Sequence, residues 1–545
     1  MQTKRWTLFA VILGSGMVFL ESSIVAVALP KMGDELSSTL FRTLEAQAYI
    51  YYGYLLTLSA LLVLAGGLND FYGRKRMFVL GLIGFGVTSV ICALAPNMEV
   101  LLLGRVLQGA AGALLVPGSL SIITSLFEGE EQGRAFGLWA GASAATTILG
   151  PVIGGALVAY ISWRAAFWIN VPFVLLALWA TVTYMPETKD DEATGRFDWF
   201  GSAVVGLAVG GLTFGAIRGQ SQQWEDPVAF VALAIGVLAA VAFPISILRS
   251  SHPVVPPELF KSRNFTVTNI STLLVYGSIY VLIQYMSLFL VGVLGYDEIG
   301  FGLATIPLSL FLALFSSRFG KLSDRYGPRL FMAIGPALMG LGILWFVRFP
   351  ATSAPWKVDL GDASTYVPPA DYLSDVLPAM TIFGLGLMVM VAPLTTALMR
   401  SVPVRNSGVA SAFNNAISRA GPQLAGALLF IAITTTFYAA LSDAVPSLNT
   451  GSRSVREQVA PLNPAAERFG PRVARAADEA STDAFQVAML VAAVMCFAGA
   501  AVNAVWIRNP REEVDRKKQS VTPCPQSPAI ERSSEPDRTP AAAEP

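Results

Sequence analysis

One histidine and three cysteines in 545 residues leave little from which to build a metal centre or a disulfide framework. Cys92 and Cys496 fall inside long apolar runs and Cys524 lies in a polar tail, so no pairing pattern emerges. His252 sits in a Pro-rich stretch and reads as a solvated side chain. Charge is scarce as well: 14% of residues are charged against 54% hydrophobic, which does not suit a soluble surface. The formal net charge is zero, so gross charge points to no partner, and nothing suggests nucleic acid. There is no Gly-x-x-x-x-Gly-Lys-Ser/Thr phosphate loop, no His-Glu-x-x-His pair, no Gly-x-Ser-x-Gly elbow and no cysteine–histidine set. These absences set aside an ATP-driven pump and a cofactor, and leave a membrane-embedded enzyme with only Glu21 and Arg105 as candidate residues.

What the chain has instead is apolar length. Runs of about 20 apolar residues cross a bilayer core, and fourteen can be counted: roughly 7–29, 47–65, 77–95, 99–123, 134–158, 163–185, 198–218, 228–248, 266–293, 299–317, 330–348, 375–397, 407–435 and 483–507. They do not alternate polar with apolar as barrel strands would, so the expectation is an all-α integral membrane protein. The first run follows Lys4 and Arg5 without a clear small-residue cleavage site, and reads as a retained helix. Residues 351–374 and 436–482 are expected to be loops on one side, and 509–545, rich in Pro, Ser, Glu and Arg, a disordered tail. Basic residues such as Lys4, Arg5, Arg74, Lys75, Arg76, Arg325, Arg329, Arg400 and Arg508 gather on the side that holds both termini, which makes that side cytoplasmic.

The chain repeats itself. Gly66-Gly67-Leu68-Asn69-Asp70-Phe71-Tyr72-Gly73-Arg74-Lys75-Arg76 returns as Gly320-Lys321-Leu322-Ser323-Asp324-Arg325-Tyr326-Gly327-Pro328-Arg329, 254 residues later (324 minus 70). Gly150-Pro151-x-x-Gly154-Gly155 has its echo in Gly421-Pro422. Each partner lies eight helices after its counterpart rather than six, so helices 7 and 8 read as an insertion between two six-helix units, a build common in transporters. The units would span 1–185 and 266–508, with the insertion and its flanking loops at 186–265.

Polar residues at membrane depth are functional candidates by default. Glu21 in helix 1 and Arg105 in helix 4, at about 1.5 Å per residue, fall at similar depths of roughly 12 and 9 Å below the outer boundary. A carboxylate and a guanidinium whose separation changes could load and release a proton; the competing possibility is a permanent ion pair. Gln108 lies one turn from Arg105. Tyr276, Tyr280 and Gln284, at i, i+4 and i+8, share one face of helix 9 and suit a cavity that holds water and amphipathic cargo by turns. Asn414, Asn415 and Arg419 are expensive in lipid and are expected to face the interior. Gly150, Pro151, Gly154 and Gly155 permit close helix approach and a loosened backbone, hence a hinge.

The paired loop motif, Arg105 with Gln108-Gly109, the Gly150-Pro151-x-x-Gly154-Gly155 run and Ser162-Trp163-Arg164-Ala165-Ala166-Phe167-Trp168-Ile169-Asn170-Val171-Pro172 together resemble the major facilitator superfamily, above all its fourteen-helix drug:proton antiporter branch. Helix 1 departs from the branch, with Glu21, Ser23 and Ala26 where Asp, Thr and Asn are usual. The resemblance implies two six-helix bundles plus two inserted central helices, in a monomer of the cell membrane that exchanges protons for small amphipathic or lipophilic compounds by alternating access. A passive or proton-coupled importer on the same fold is the alternative. It further implies gates at the loop motifs (Gly66, Asp70, Gly73, Arg74, Arg76; Gly320, Asp324, Gly327, Arg329), with Asp70 against the start of helix 13 near Asn406 and Ser407, and Asp324 against the start of helix 5 near Arg134. It does not name the cargo.

Overall fold

The computed structural model describes residues 2–39, 43–189, 197–222, 224–350, 352–359, 361–456, 458–463 and 469–509. The tail expected at 509–545 lies outside them from residue 510 onward. Every regular element among the described residues is helical. The long helices are α1 Gln2–Glu35, α2 Thr43–Tyr72, α3 Arg74–Ala93, α4 Met98–Leu126, α5 Gly129–Tyr160, α6 Asn170–Tyr184, α7 Trp199–Ser221, α8 Pro227–Arg249, α9 Arg263–Ser287, α10 Ile306–Tyr326, α11 Pro328–Trp345, α12 Leu377–Arg400, α13 Ser407–Ala444 and α14 Gly470–Trp506. Among the described residues 13 spans are long and apolar enough to cross a membrane. The remaining long helix, α5, runs for 32 residues and packs against both α1 and α10.

The repeat seen in sequence is a repeat of packing. In the first bundle α1 packs on α5 and α6, α2 on α4, and α3 on α4 and α6. Eight helices on, α9 packs on α13 and α14, α10 on α12, and α11 on α12 and α14. The bundles meet along two equivalent seams, α2 with α13 and α5 with α10. The inserted α7 and α8 pack on each other through glycine, since a Cβ on Gly211 would lie 2.8 Å from the Cα of Gly236. α7 also lies against α2 and α13.

The segment 436–482 is not the long loop its polarity suggests. α13 runs on to Ala444 and α14 begins at Gly470, leaving 445–469 between them, whose described residues include one helical turn, Arg453–Arg456. Hydropathy ends where polar residues begin, but Ala439, Ala440, Ala444, Ala474, Ala476 and Ala477 are strong helix formers and carry the helices beyond the apolar core. Pro446 disfavours helical geometry at Val445 and stops α13.

Candidate functional site

Both copies of the loop motif make the same tight connection between consecutive helices. Gly73 (φ 111°, ψ 133°) joins α2 to α3, and Gly327 (φ 85°, ψ 153°) joins α10 to α11. Only glycine adopts such angles without strain. The residues that follow are pinned to the ends of equivalent helices. The amides of Lys75 and Arg76 donate to Glu187, just past α6, at 3.0 and 3.2 Å. The amide of Arg329 donates to Asn509 at 3.2 Å, and its Nε to the Ala504 carbonyl of α14 at 2.7 Å. Arg76 itself is exposed and only 3.7 Å from Glu187.

The two motif aspartates close the end of the molecule that carries Gln2 and Asn509. Asp70 is buried and receives the Gly408 and Val409 amides at 3.2 and 2.9 Å, the free N–H groups of the first turn of α13. Arg74 donates to the same carboxylate through Nε and Nη2 at 3.2 and 3.0 Å, and Nη2 also reaches the Val404 carbonyl across the seam at 2.6 Å. Gly66 lets α2 come this close, because a Cβ there would lie 2.5 Å from the Gly408 carbonyl oxygen. Asp324 is seated on Gly133 in the first turn of α5 and pairs with Arg400 at 2.8 Å. Its oxygens accept no hydrogen bond of good geometry among the described residues. Arg400 makes the crossing instead, donating to the Gly129 carbonyl at 2.8 Å and to Gln132 at 3.2 Å. Gly320 approaches Gly133 as Gly66 approaches Gly408. The partner arginine thus follows Asp70 by one turn in the first copy, but in the second comes from the end of α12, because Pro328 stands where Arg74 does.

At mid-depth, five helices of the first bundle enclose a dry polar cluster. Glu21 of α1 and Arg105 of α4 have no exposed surface, and their Oε1 and Nη1 are 3.0 Å apart. Arg105 Nη1 also donates to Gln108 Oε1 at 2.8 Å, while its guanidinium lies 4.1 Å from the Tyr54 ring centre on α2. The second carboxylate oxygen of Glu21 receives a hydrogen bond from Asn170 at the start of α6. Gln108 Nε2 donates to Ser89 of α3 at 2.9 Å. α5 seals this cluster with glycines: a Cβ on Gly150 would meet Ser23 and come within 3.4 Å of the Leu20 carbonyl, and one on Gly154 would be 3.1 Å from the Ile24 Cα. Trp139 of α5 donates to Ser15 of α1 at 3.0 Å one layer nearer the terminal end. Gly155 has no such neighbour, and the side chain of Pro151 lies outside the described residues. The second glycine run repeats the device, with Gly421 against Leu273 of α9 and Pro422 inside α13.

Side chains of both bundles also meet at the midline. Arg419 of α13 reaches over Phe19 of α1, with its guanidinium 5.7 Å from the ring centre. Tyr51 of α2 is within electrostatic reach of Arg105, Arg419 and Tyr280, and Tyr276 of Tyr280, while Tyr276 also packs against the core of the second bundle. Tyr280 and Gln284 are exposed and Tyr276 is half-buried. Asn414 is placed elsewhere: it donates to Asn269 and Thr272 of α9 at 3.1 and 2.7 Å, a buried clasp inside one bundle. Asn415 bonds back to the Ser411 carbonyl at 2.9 Å, and Gln108 is consumed by the Glu21 cluster. Sequence reasoning gave no role to Asn170, Ser89, Phe19, Tyr51 or Arg400. The polarity of Asn170 within an apolar run was a usable signal; Ser89 and Phe19 offered none.

The family profile described as the Major Facilitator Superfamily matches residues 11–427. The multidrug resistance protein Stp of Mycobacterium tuberculosis (strain CDC 1551 / Oshkosh) is 29% identical over 450 residues, 82% of this chain and 79% of that protein. The puromycin resistance protein pur8 of Streptomyces alboniger is 31% identical over 452 residues, 81% of this chain and 84% of its own. Among solved structures, the human organic anion transporter MFSD10 (TETRAN) superposes with a TM-score of 0.57 at 11% identity, covering 92% of this chain and 99% of that one; this likeness concerns the fold alone.

Proposed function

The chain belongs to the Major Facilitator Superfamily, and from that membership we propose that it exports small amphipathic compounds from the cell in exchange for protons. The bundle end with both termini then faces the cytoplasm, as the concentration of Lys and Arg there supports. Relatives that include a multidrug and a puromycin resistance protein favour export over import.

The observation that carries the proton role is the dry Glu21–Arg105 pair beneath the glycine seam of α5. Both carboxylate oxygens are engaged, one by Arg105 and one by Asn170, so the charged form has two partners here that it would lose if the helices parted. Rotation of α5 at Gly150 and Gly154 would bare the α1 turn that bears Glu21 and admit water. Separation from Arg105 removes the interaction that favours the charged form, and the carboxylate takes a proton. Re-formation of the pair expels it. The Asp70 and Asp324 contacts hold the cytoplasmic end shut while Glu21 loads from outside, and they part before the pair re-forms, so that loading and release occur on opposite sides.

One proton moving inward through 100 mV yields about 2.3 kcal/mol, sufficient for roughly a fiftyfold gradient of a neutral molecule. Transport into everted vesicles tests the role directly. Glu21→Gln should keep exchange of cargo across the membrane and lose accumulation driven by a pH gradient. Full pH-driven accumulation by Glu21→Gln would mean that the pair is a fixed strut and the proton travels elsewhere.

A further inference from the structure

The midline between the bundles has a charge of its own. Arg419 lies 12 residues into α13 (419 minus 407), about 18 Å along the helix from the terminal end and so near the middle of a bilayer core about 30 Å thick. Its Nε is buried without a hydrogen-bond partner, and among the described residues no carboxylate pairs with it. The contrast with Arg105 is sharp, since that guanidinium has Glu21, Gln108 and the Tyr54 ring. Glu21 is not free to serve both, because its two oxygens are already engaged. An uncompensated guanidinium at this depth is costly and implies a partner that comes and goes.

Resting on the proposed export of small amphipathic compounds, we infer that Arg419 is an anion receptor and that the preferred cargo is an aromatic or otherwise amphipathic molecule carrying a carboxylate. A guanidinium presents a planar fork of donors that fits a carboxylate in two parallel hydrogen bonds. Phe19, Tyr51 and Tyr280 approach from α1, α2 and α9, giving the apolar body of such a molecule aromatic faces drawn from both bundles. The same fixed positive charge disfavours a cationic cargo, so it selects by repulsion as well as attraction. Because Arg419 and Phe19 belong to opposite bundles, an anion drawn onto Arg419 also displaces a cation–aromatic contact that spans the midline.

The test is equilibrium binding of three matched probes, naphthylacetate, naphthylethanol and naphthylethylamine, to the full-length protein in lipid nanodiscs, with empty nanodiscs subtracted. The wild type should bind the acid about tenfold tighter than the alcohol and the amine most weakly. Arg419→Gln should erase the preference for the acid, with an unchanged thermal unfolding midpoint and a monodisperse elution profile showing that the variant is folded; Arg419→Lys should retain part of it. The inference is overturned if the wild type fails to bind the acid, if the amine binds as tightly as the acid, or if the preference survives Arg419→Gln. No gradient is applied, so the outcome is separate from that of proton-driven export. Acid preference without pH-driven accumulation in vesicles would sustain the anion site and refute the exchange mechanism, and the reverse pair of results would do the opposite.

Discussion

Removing the charge of Asp70 should open the terminal end of the transporter, and the size of the effect follows from what that carboxylate holds. Its two oxygens receive the Gly408 and Val409 amides of α13 and the Nε and Nη2 of Arg74. Asn is nearly isosteric but offers one acceptor oxygen, turns an NH2 group toward donors, and leaves buried Arg74 without a counter-charge. An anion at a helix N-terminus contributes up to about 2 kcal/mol in a partly buried site, and the loss of charge-assisted hydrogen bonds is of similar size. About 2 kcal/mol corresponds to roughly a thirtyfold shift in a two-state equilibrium. The same change at Asp324, whose oxygens lack well-formed hydrogen bonds, should shift it only about fivefold, since Arg400 still binds Gly129 and Gln132. A cysteine at Ser411, fully buried one turn into α13, reports the opening through its rate of labelling by a membrane-impermeant maleimide in everted vesicles, with Cys524→Ser as background. Asp70→Asn should raise that rate and slow transport while the protein stays monodisperse. A wild-type labelling rate in Asp70→Asn, or a larger effect from Asp324→Asn, would refute the gate as described.

Gly73→Ala and Gly327→Ala force a side chain into backbone angles that cost about 1–3 kcal/mol, so each should lower the thermal unfolding midpoint in detergent; an unchanged midpoint would show that the turns relax freely. Gly236→Leu should separate α7 from α8 and lower stability without altering proton coupling, because among the described residues the hydrogen-bond partners of Glu21, Arg105 and Asn170, lie on α4 and α6; loss of pH-driven transport at full stability would assign the inserted pair a direct part. A cysteine in 445–456 should be labelled from outside intact cells, and labelling only after permeabilisation would invert the proposed orientation.

The repeat was legible because glycine and aspartate at a helix junction are demanded by backbone geometry and by the neighbouring helix end, and both demands leave a short fixed pattern. The meeting of Glu21 and Arg105 followed from depth alone: two helices running in opposite directions bring residues at similar depth to one layer. What depth does not give is azimuth. Asn414 is polar and lies on the same helix five residues before Arg419 (419 minus 414), yet it faces α9 within its own bundle, and packing decides the direction of each. Arg400 was equally invisible as the partner of Asp324, since the residue that plays its part in the first copy lies inside the motif and in the second lies 76 residues away (400 minus 324). The loop bounds failed for a simpler reason, because hydropathy marks where lipid ends and not where a helix does.

The inserted hairpin breaks the symmetry of a machine that is otherwise a duplicate of itself. α7 lies across both α2 and α13 and so roofs one seam between the bundles, while among the described residues no helix from outside the two bundles packs in the same way across both α5 and α10. The lipid therefore meets the inserted pair on one side and, on the other, α5 and α10 themselves, packed closely where Gly137 lies against Ser317. Photoactivatable lipid analogues should then mark α5 and α10 and spare α2 and α13. The protein thus has a front and a back in the plane of the membrane, a distinction that its internal repeat alone would not create.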